Sequence, residues 1–331
     1  MSMTRALAMI SGGLDSILAA KLIKEQGIDV IGICFRSYFF SEESAKKMTK
    51  QIDIPLVVVD FSKEHFELVK NPKHGRGKNM NPCIDCHSMM MNYAGELLEK
   101  YEADFIITGE VLNQRPMSQN RQALDIVKKE SGFKDKILRP LCAKNLQPTE
   151  MELNGLVDRE KLMKISGRSR KVQMALAEEW GIKEYPSPAG GCRLTEPGYA
   201  LRLKDLLGFN STPNENELSL LRYGRHFRTK DNNKIIAART KEEGDEIKKL
   251  INDTYLNFHP IDFSGALVVM ENEGTAEDRE LAARIAVRYS KGKNEEEVKV
   301  RYGFYGQKHN KEMNVSPVAD KELEEYLVNV K

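Results

Sequence analysis

The first hundred residues alternate short apolar runs with amphipathic segments. Residues 6–10 (Ala-Leu-Ala-Met-Ile) are uniformly apolar. A glycine turn follows, then a stripe of Ile17, Leu18, Leu22 and Ile23 at the helical period, which Gly27 closes. Residues 30–35 and 56–60 repeat the buried-strand pattern, and residues 104–109 supply another strand. Strands that are apolar throughout, separated by helices, predict a parallel sheet covered on both faces. Between the last two strands lie a polar loop at 71–82 and a long helical segment from about 84 to 101.

After Gly109 the pattern shifts to shorter helices punctuated by glycine and proline, at Arg139-Pro140, Gln147-Pro148 and the run Pro186-Ser187-Pro188-Ala189-Gly190-Gly191. A further helix is predicted over 169–180. Between 208 and 216 Asn, Ser, Thr and Pro replace helix formers, which predicts a boundary. Beyond it, strands at 234–238 and 265–270 mix with helices at 242–252 and 276–289. The expected organisation is a doubly wound α/β domain at 1–140, a smaller helical and irregular segment at 141–210, and a C-terminal α+β domain at 211–331.

Composition narrows the setting. The amino terminus runs directly into the first strand with no signal-peptide core, and no apolar run is long enough to span a bilayer, so a cytoplasmic location is expected. A net charge of +2 is too small to argue for nucleic acid, so clustering must carry that argument. Three windows are basic: Lys70, Lys73, His74, Arg76 and Lys78; Lys161, Lys164, Arg168, Arg170 and Lys171; and Arg222, Arg225, His226, Arg228 and Lys230. Each taken singly reads as a solvated face. Together they make a track for phosphates plausible.

Ser11-Gly12-Gly13-Leu14-Asp15-Ser16 joins the first strand to the first helix, where a doubly wound sheet places a ligand. Its glycines let backbone N–H groups approach an anion, its serines add donors, and the helix N-terminus adds a favourable dipole. The hexapeptide resembles the Ser-Gly-Gly-x-Asp-Ser signature of the PP-loop, or adenine-nucleotide alpha-hydrolase-like, superfamily. That resemblance implies a Rossmann-like sheet and ATP cleaved between its α and β phosphates with Mg2+ present. A substrate oxygen would be adenylated. Asp15 is the expected magnesium ligand, its plainer alternative being a helix N-terminal carboxylate. Phe35 and Gly109 are the further nucleotide contacts expected.

The five cysteines are Cys34, Cys83, Cys86, Cys142 and Cys192, an odd number that argues against a disulfide framework. Cys83 and Cys86 open a helix, a position expected to lower thiol pKa values, while Cys192 follows glycines. Asn81-Pro82-Cys83-Ile84-Asp85-Cys86-His87 with the later glycine-flanked cysteine is similar to the bacterial tRNA 2-thiouridylase pattern. Cys86 and Cys192 stand at the matching positions. Cys83 stands where the best-known members carry aspartate, and His87 where they carry asparagine. Three cysteines resemble the set by which other PP-loop tRNA thiolases hold a [4Fe–4S] cluster with one iron open. A persulfide relay between Cys86 and Cys192 is the rival reading. Structural zinc, with His87 as an awkward fourth ligand, is the third. Cys34 and Cys142 read as buried small residues.

The segments Gln114-Arg115-Pro116-Met117-Ser118-Gln119 and Gly167-Arg168-Ser169-Arg170-Lys171 resemble those of a PP-loop group labelled thiouridine synthases. Their arginines suit ATP phosphates, tRNA or neighbouring carboxylates. From about residue 212 the chain resembles the RNA-binding domain of the NFACT proteins, with aromatics and cations interleaved for backbone contact and base stacking. No THUMP domain is recognisable. The expected activity is ATP-dependent thiolation of a tRNA uridine, forming 4-thiouridine or 2-thiouridine. Sulfur would come from inorganic sulfide or a donor protein, and a homodimer is left open. The competing readings are a PP-loop enzyme acting on a small molecule and a non-catalytic RNA-binding protein.

Overall fold

The computed structural model describes residues 3–187 and 191–328. Pro188, Ala189 and Gly190 of the expected proline and glycine connector lie outside the described residues. The chain divides into two compact units, residues 1–195 and 196–331.

The first unit contains β1 (Arg5–Met9), α1 (Leu14–Lys24), β2 (Asp29–Arg36), α2 (Glu43–Gln51), β3 (Leu56–Asp60), α3 (Ser62–Lys70) and α4 (Cys83–Glu96). It continues with β4 (Phe105–Thr108), α5 (Arg121–Glu130), β5 (Ile137–Leu138), α6 (Glu150–Leu153) and α7 (Lys171–Glu179). Its five strands are all parallel in the order β3-β2-β1-β4-β5, the doubly wound α/β arrangement that the apolar runs predict. The order reverses between β1 and β4, and a ligand crevice forms outside the C-terminal ends of strands at such a point.

The period of two decides which side chains face which layer. Ala6, Ala8 and Ile10 join the core under α1 with Phe105 and Ile107 of β4. Leu7 and Ile106 join the opposite core with Phe61 and Met91. Each fully buried Leu or Ile in these layers contributes about 1.5–3 kcal/mol. The helix after the polar loop stops at Glu96 rather than near 101, because the chain turns through Glu102, at φ 50°, to feed β4.

The second unit contains α8 (Pro197–Phe209), α9 (Glu215–Leu220), β6 (Arg225–Arg228), β7 (Lys234–Ala237), α10 (Lys241–Leu250) and β8 (Tyr255–Pro260). β9 (Val268–Glu271), α11 (Ala276–Arg288), β10 (Val298–Phe304), β11 (Lys311–Val315) and α12 (Asp320–Tyr326) complete it. Its six antiparallel strands run β11-β10-β8-β9-β7-β6. α11 packs Leu281, Ala282 and Ile285 on one face, and Leu220 and Ile247 from α9 and α10 pack the other. Among the described residues no helix is long and apolar enough to cross a membrane.

The tightest approach of backbone to a glycine in the first unit lies at the end of β4. A Cβ on Gly109 would stand 2.5 Å from the Ser16 amide nitrogen and 2.6 Å from the Asp15 carbonyl carbon, both backbone atoms that cannot swing aside. Gly109→Ala should therefore cost about 1–3 kcal/mol in denaturant unfolding. Gly208→Ala, in open space within α8, should be neutral or slightly stabilising. Equal stabilities for the two variants would contradict this packing.

Candidate functional site

The loop between β1 and α1 is shaped by its own hydrogen bonds. Ser16 Oγ donates to the Gly13 carbonyl at 2.8 Å, and the Gly13 amide lies 3.3 Å from Ser11 Oγ. Gly12 needs to be glycine twice over. Its φ is +78°, and a Cβ there would lie 2.6 Å from Ser44 Cβ and 2.7 Å from the Ala45 nitrogen at the start of α2. Ser44 Oγ donates to the Gly12 carbonyl at 2.9 Å, tying the loop to α2. Leu14 is fully buried in the core, so it anchors the loop and offers only backbone. The loop contains no basic residue and one acid, Asp15.

Asp15 is held from outside the loop. Gln114 Nε2 donates to Asp15 Oδ2 at 2.6 Å, and Gln173 Nε2 donates in turn to Gln114 Oε1 at 3.0 Å. The Arg170 guanidinium stands 3.8 Å from Asp15 Oδ1, beyond hydrogen-bond length. Asp15 Oδ1, Arg170 Nε and Gln173 Oε1 are buried without a hydrogen-bond partner. Gln173 is absent from the residues the sequence singles out. Its signal is an inversion in α7, where Val172 and Met174 are exposed and Gln173 shares the buried face with Ala177.

Phe35 is 5% exposed and packs its ring 5.2 Å from Phe61, so its side chain belongs to the core. Gly109 presses on Asp15 and Ser16, and the next residue, Glu110, leads to the cysteines. Glu110 Oε1 meets His87 Nδ1 at 2.9 Å, and its Oε2 accepts from Arg139 Nε at 2.8 Å. Burial alone would raise the Glu110 carboxyl. The Arg139 guanidinium and the His87 ring outweigh burial and hold it down to about 2.

Cys83 and Cys86 lie in the first turn of α4, and the cysteines are free thiols. The Cys192 segment is bound to the same region, since the Met80 amide donates to the Leu194 carbonyl at 3.2 Å and Asn79 Nδ2 to the Thr195 carbonyl at 2.7 Å. Asn81 Nδ2 lies 3.1 Å from Cys83 Sγ. Asp85, between the two cysteines, accepts from the His74 amide at 2.9 Å and pairs with the His74 ring at 2.6 Å, which fixes the preceding loop.

The expected lowering of thiol pKa at this helix start fails for Cys86. Burial pushes its thiol well up, and the negative charges of Cys192, Cys83 and Asp85 push the same way. The helix dipole is too weak to offset complete desolvation. The influence of Cys83 and Cys192 on Cys86 places both thiols in its neighbourhood. Among the described residues, no three His, Cys, Asp or Glu side chains gather as a single metal ion requires. Cys34 and Cys142 are buried, with thiols pushed up to about 12 and about 11.

The basic windows divide. In the first, Lys73 pairs with Glu130 at 2.6 Å, and Arg76 donates to the Val69 and Lys70 carbonyls. In the third, Arg228 pairs with Asp205, Arg225 lies over the Tyr289 ring and His226 is buried. Lys164, Arg168 and Lys171 of the middle window are exposed, and none forms an ion pair among the described residues. Their segment runs beside the nucleotide loop's supports, with the Gly167 amide donating to the Leu112 carbonyl at 2.8 Å.

Residues 1–147 match the family described as thiamine biosynthesis protein (ThiI), and residues 224–327 match the NFACT protein RNA binding domain. The tRNA-specific 2-thiouridylase MnmA of Karelsulcia muelleri is 26% identical over 195 residues, covering 54% of this chain and 50% of its own length. That of Clostridium acetobutylicum is 37% identical over 121 residues, covering 30% and 34%. This chain thus spans between a third and half of the length of these curated relatives. A solved 4-thiouridine synthetase in complex with RNA and bound ATP is similar at 17% identity and a TM-score of 0.35, covering 54% of this chain and 52% of its own. The chain therefore carries a ThiI-type PP-loop domain over residues 1–147 and an NFACT-type RNA-binding domain over residues 224–327.

Proposed function

We propose that this chain uses ATP to activate a uridine of tRNA and replaces one carbonyl oxygen of that base with sulfur. The observation that carries the reading is the end of β4. Gly109 lies on the nucleotide loop, and Glu110 beside it holds His87, the neighbour of Cys86. Two consecutive residues thus join the place for an activated phosphate to the place for sulfur.

In the first step the uridine carbonyl oxygen attacks the α-phosphorus of ATP, giving an O-adenylate and releasing pyrophosphate. In the second, hydrosulfide adds to that carbon and AMP leaves with the former carbonyl oxygen. The loop amides and the α1 N-terminus stabilise phosphate charge, and Asp15 takes Mg2+. Holding base and nucleotide together supplies most of the acceleration, with charge stabilisation supplying the rest. The NFACT-type domain and the exposed Lys164, Arg168 and Lys171 support tRNA as the partner, through backbone phosphates and unpaired bases.

Cys83, Cys86 and Cys192 would hold a [4Fe–4S] cluster. The electrostatic influence of Cys83 and Cys192 on Cys86 supports this donor set, three thiols contributed by two segments of the chain. When bound, the cluster supplies an iron without a protein ligand, able to receive sulfide from solution or from a donor protein. In the rival persulfide relay between Cys86 and Cys192, the partly exposed Cys192 is the more accessible carrier, since Cys86 is 8% exposed with its thiol raised.

Purified protein given ATP, Mg2+, sulfide and unmodified tRNA should form AMP and pyrophosphate in step with thiolated uridine. Phosphate and ADP as products, or turnover indifferent to tRNA, would refute the reaction. Protein purified without oxygen should contain iron and acid-labile sulfide, both lost in Cys83→Ser, Cys86→Ser and Cys192→Ser. Zinc without labile sulfide would remove the cluster.

Glu110→Gln should cost about 3–5 kcal/mol, since it leaves Arg139 buried without its counter-charge. The carboxyl falls from its usual 4.5 to about 2, so its stabilisation is complete above 4.5 and declines as pH falls toward 2. The wild-type advantage over the variant should shrink along that interval. An advantage unchanged between pH 7 and 3 would contradict the assignment.

A further inference from the structure

We propose that Arg170 binds the polyphosphate of ATP and supplies the positive charge that the nucleotide loop lacks. The proposal rests on residues 11–16 being an ATP loop, and it adds a residue from outside the segment that matches the ThiI family.

The charge balance motivates it. ATP brings about four negative charges at neutral pH, yet residues 11–16 offer only amides, hydroxyls and the carboxylate of Asp15. Dipoles and one Mg2+ leave the polyphosphate undercompensated, and Asp15 adds a further negative charge. The guanidinium placed against this loop is Arg170, 3.8 Å from Asp15 Oδ1.

The hydrogen-bond pattern points the same way. Asp15 has one oxygen satisfied by Gln114 at 2.6 Å, while the other faces Arg170 without a hydrogen bond. Arg170 Nε is also buried and unsatisfied. A carboxylate and a guanidinium free to pair normally close to a bidentate contact. Here they are held apart, each with an orphaned atom, and buried orphans of this kind are costly unless a ligand completes them. Mg2+ on Asp15 Oδ1 and phosphate oxygens on Arg170 satisfy both at once.

The local structure holds the pair open. Arg170 is the N-cap residue of α7, whose first turn contains no acid, so no carboxylate on its own helix competes for it. Gln173, one turn on and fully buried, braces Gln114, which fixes Asp15 from the far side. The same helix start therefore sets both partners. A guanidinium there can follow charge onto the pyrophosphate as it departs, which a neutral donor does less well.

Calorimetric titration of the full chain with MgATP and with AMP, for wild type, Arg170→Ala and Arg170→Lys, tests this directly. Arg170→Ala should weaken MgATP binding by roughly ten- to a hundredfold, with AMP affected less than about threefold and Arg170→Lys recovering part of the loss. The melting temperature without nucleotide should not fall, because among the described residues the Arg170 side chain makes no hydrogen bond that the substitution would remove, and the bond from the Met174 amide to its carbonyl is kept. MgATP affinity unchanged in Arg170→Ala would overturn the proposal, as would equal losses for MgATP and AMP. A wild-type chain that does not bind ATP would instead overturn the reading of residues 11–16.

Discussion

The nucleotide end of this molecule depends on one close approach of backbone to backbone, Gly109 at the end of β4 against Asp15 and Ser16 at the start of α1. Because the strand order reverses between β1 and β4, the two strand ends stand side by side with only a glycine between them. That contact fixes the loop from one side, and Gly12, pressed on the start of α2, fixes it from the other. The loop is thereby a rigid cradle before any ligand arrives. Preorganisation of this kind is what electrostatic stabilisation of a reacting phosphate requires.

From the same strand end the structure extends toward sulfur. Glu110 is buried and charged, sustained by Arg139 and His87, and it places the start of α4 relative to the sheet. The thiols there sit in a setting opposite to that of the carboxylates. Glu110 is held charged by the Arg139 guanidinium and its contact with His87, whereas burial and neighbouring charge raise the Cys86 thiol. The Cys86 thiol is costly to charge in this setting without a compensating positive centre beside it.

Much of this was legible in the chain. The apolar runs at 6–10 and 30–35 are largely buried, so period and composition agreed on a parallel sheet, whereas 56–60, read as a buried strand, forms the edge strand β3 with Val58 exposed. The strongly polar α2, with only Ala45, Met48 and Thr49 buried, offered too thin a stripe to be singled out. The loop at 11–16 was readable because glycine and serine at fixed offsets have few other uses. Gln114 and Arg170 stand in segments that the resemblance singled out, but their meeting with Asp15, and the bracing role of Gln173, arise only through long-range folding. The expected acidity of the α4 thiols failed for Cys86 because burial is a tertiary property, invisible in a Cys-x-x-Cys spacing. Of the first and third basic windows, which singly read as solvated faces, the structure pairs Lys73 with Glu130 and Arg228 with Asp205.

The central claim is that the nucleotide loop and the cysteine region serve one reaction on tRNA. Nucleoside mass analysis of tRNA from a strain lacking this chain tests it most directly. Loss of 4-thiouridine or of 2-thiouridine derivatives is expected, restored by the intact chain but not by Asp15→Asn or Cys86→Ser. Unchanged levels of both thiolated uridines in the deletion strain would contradict it.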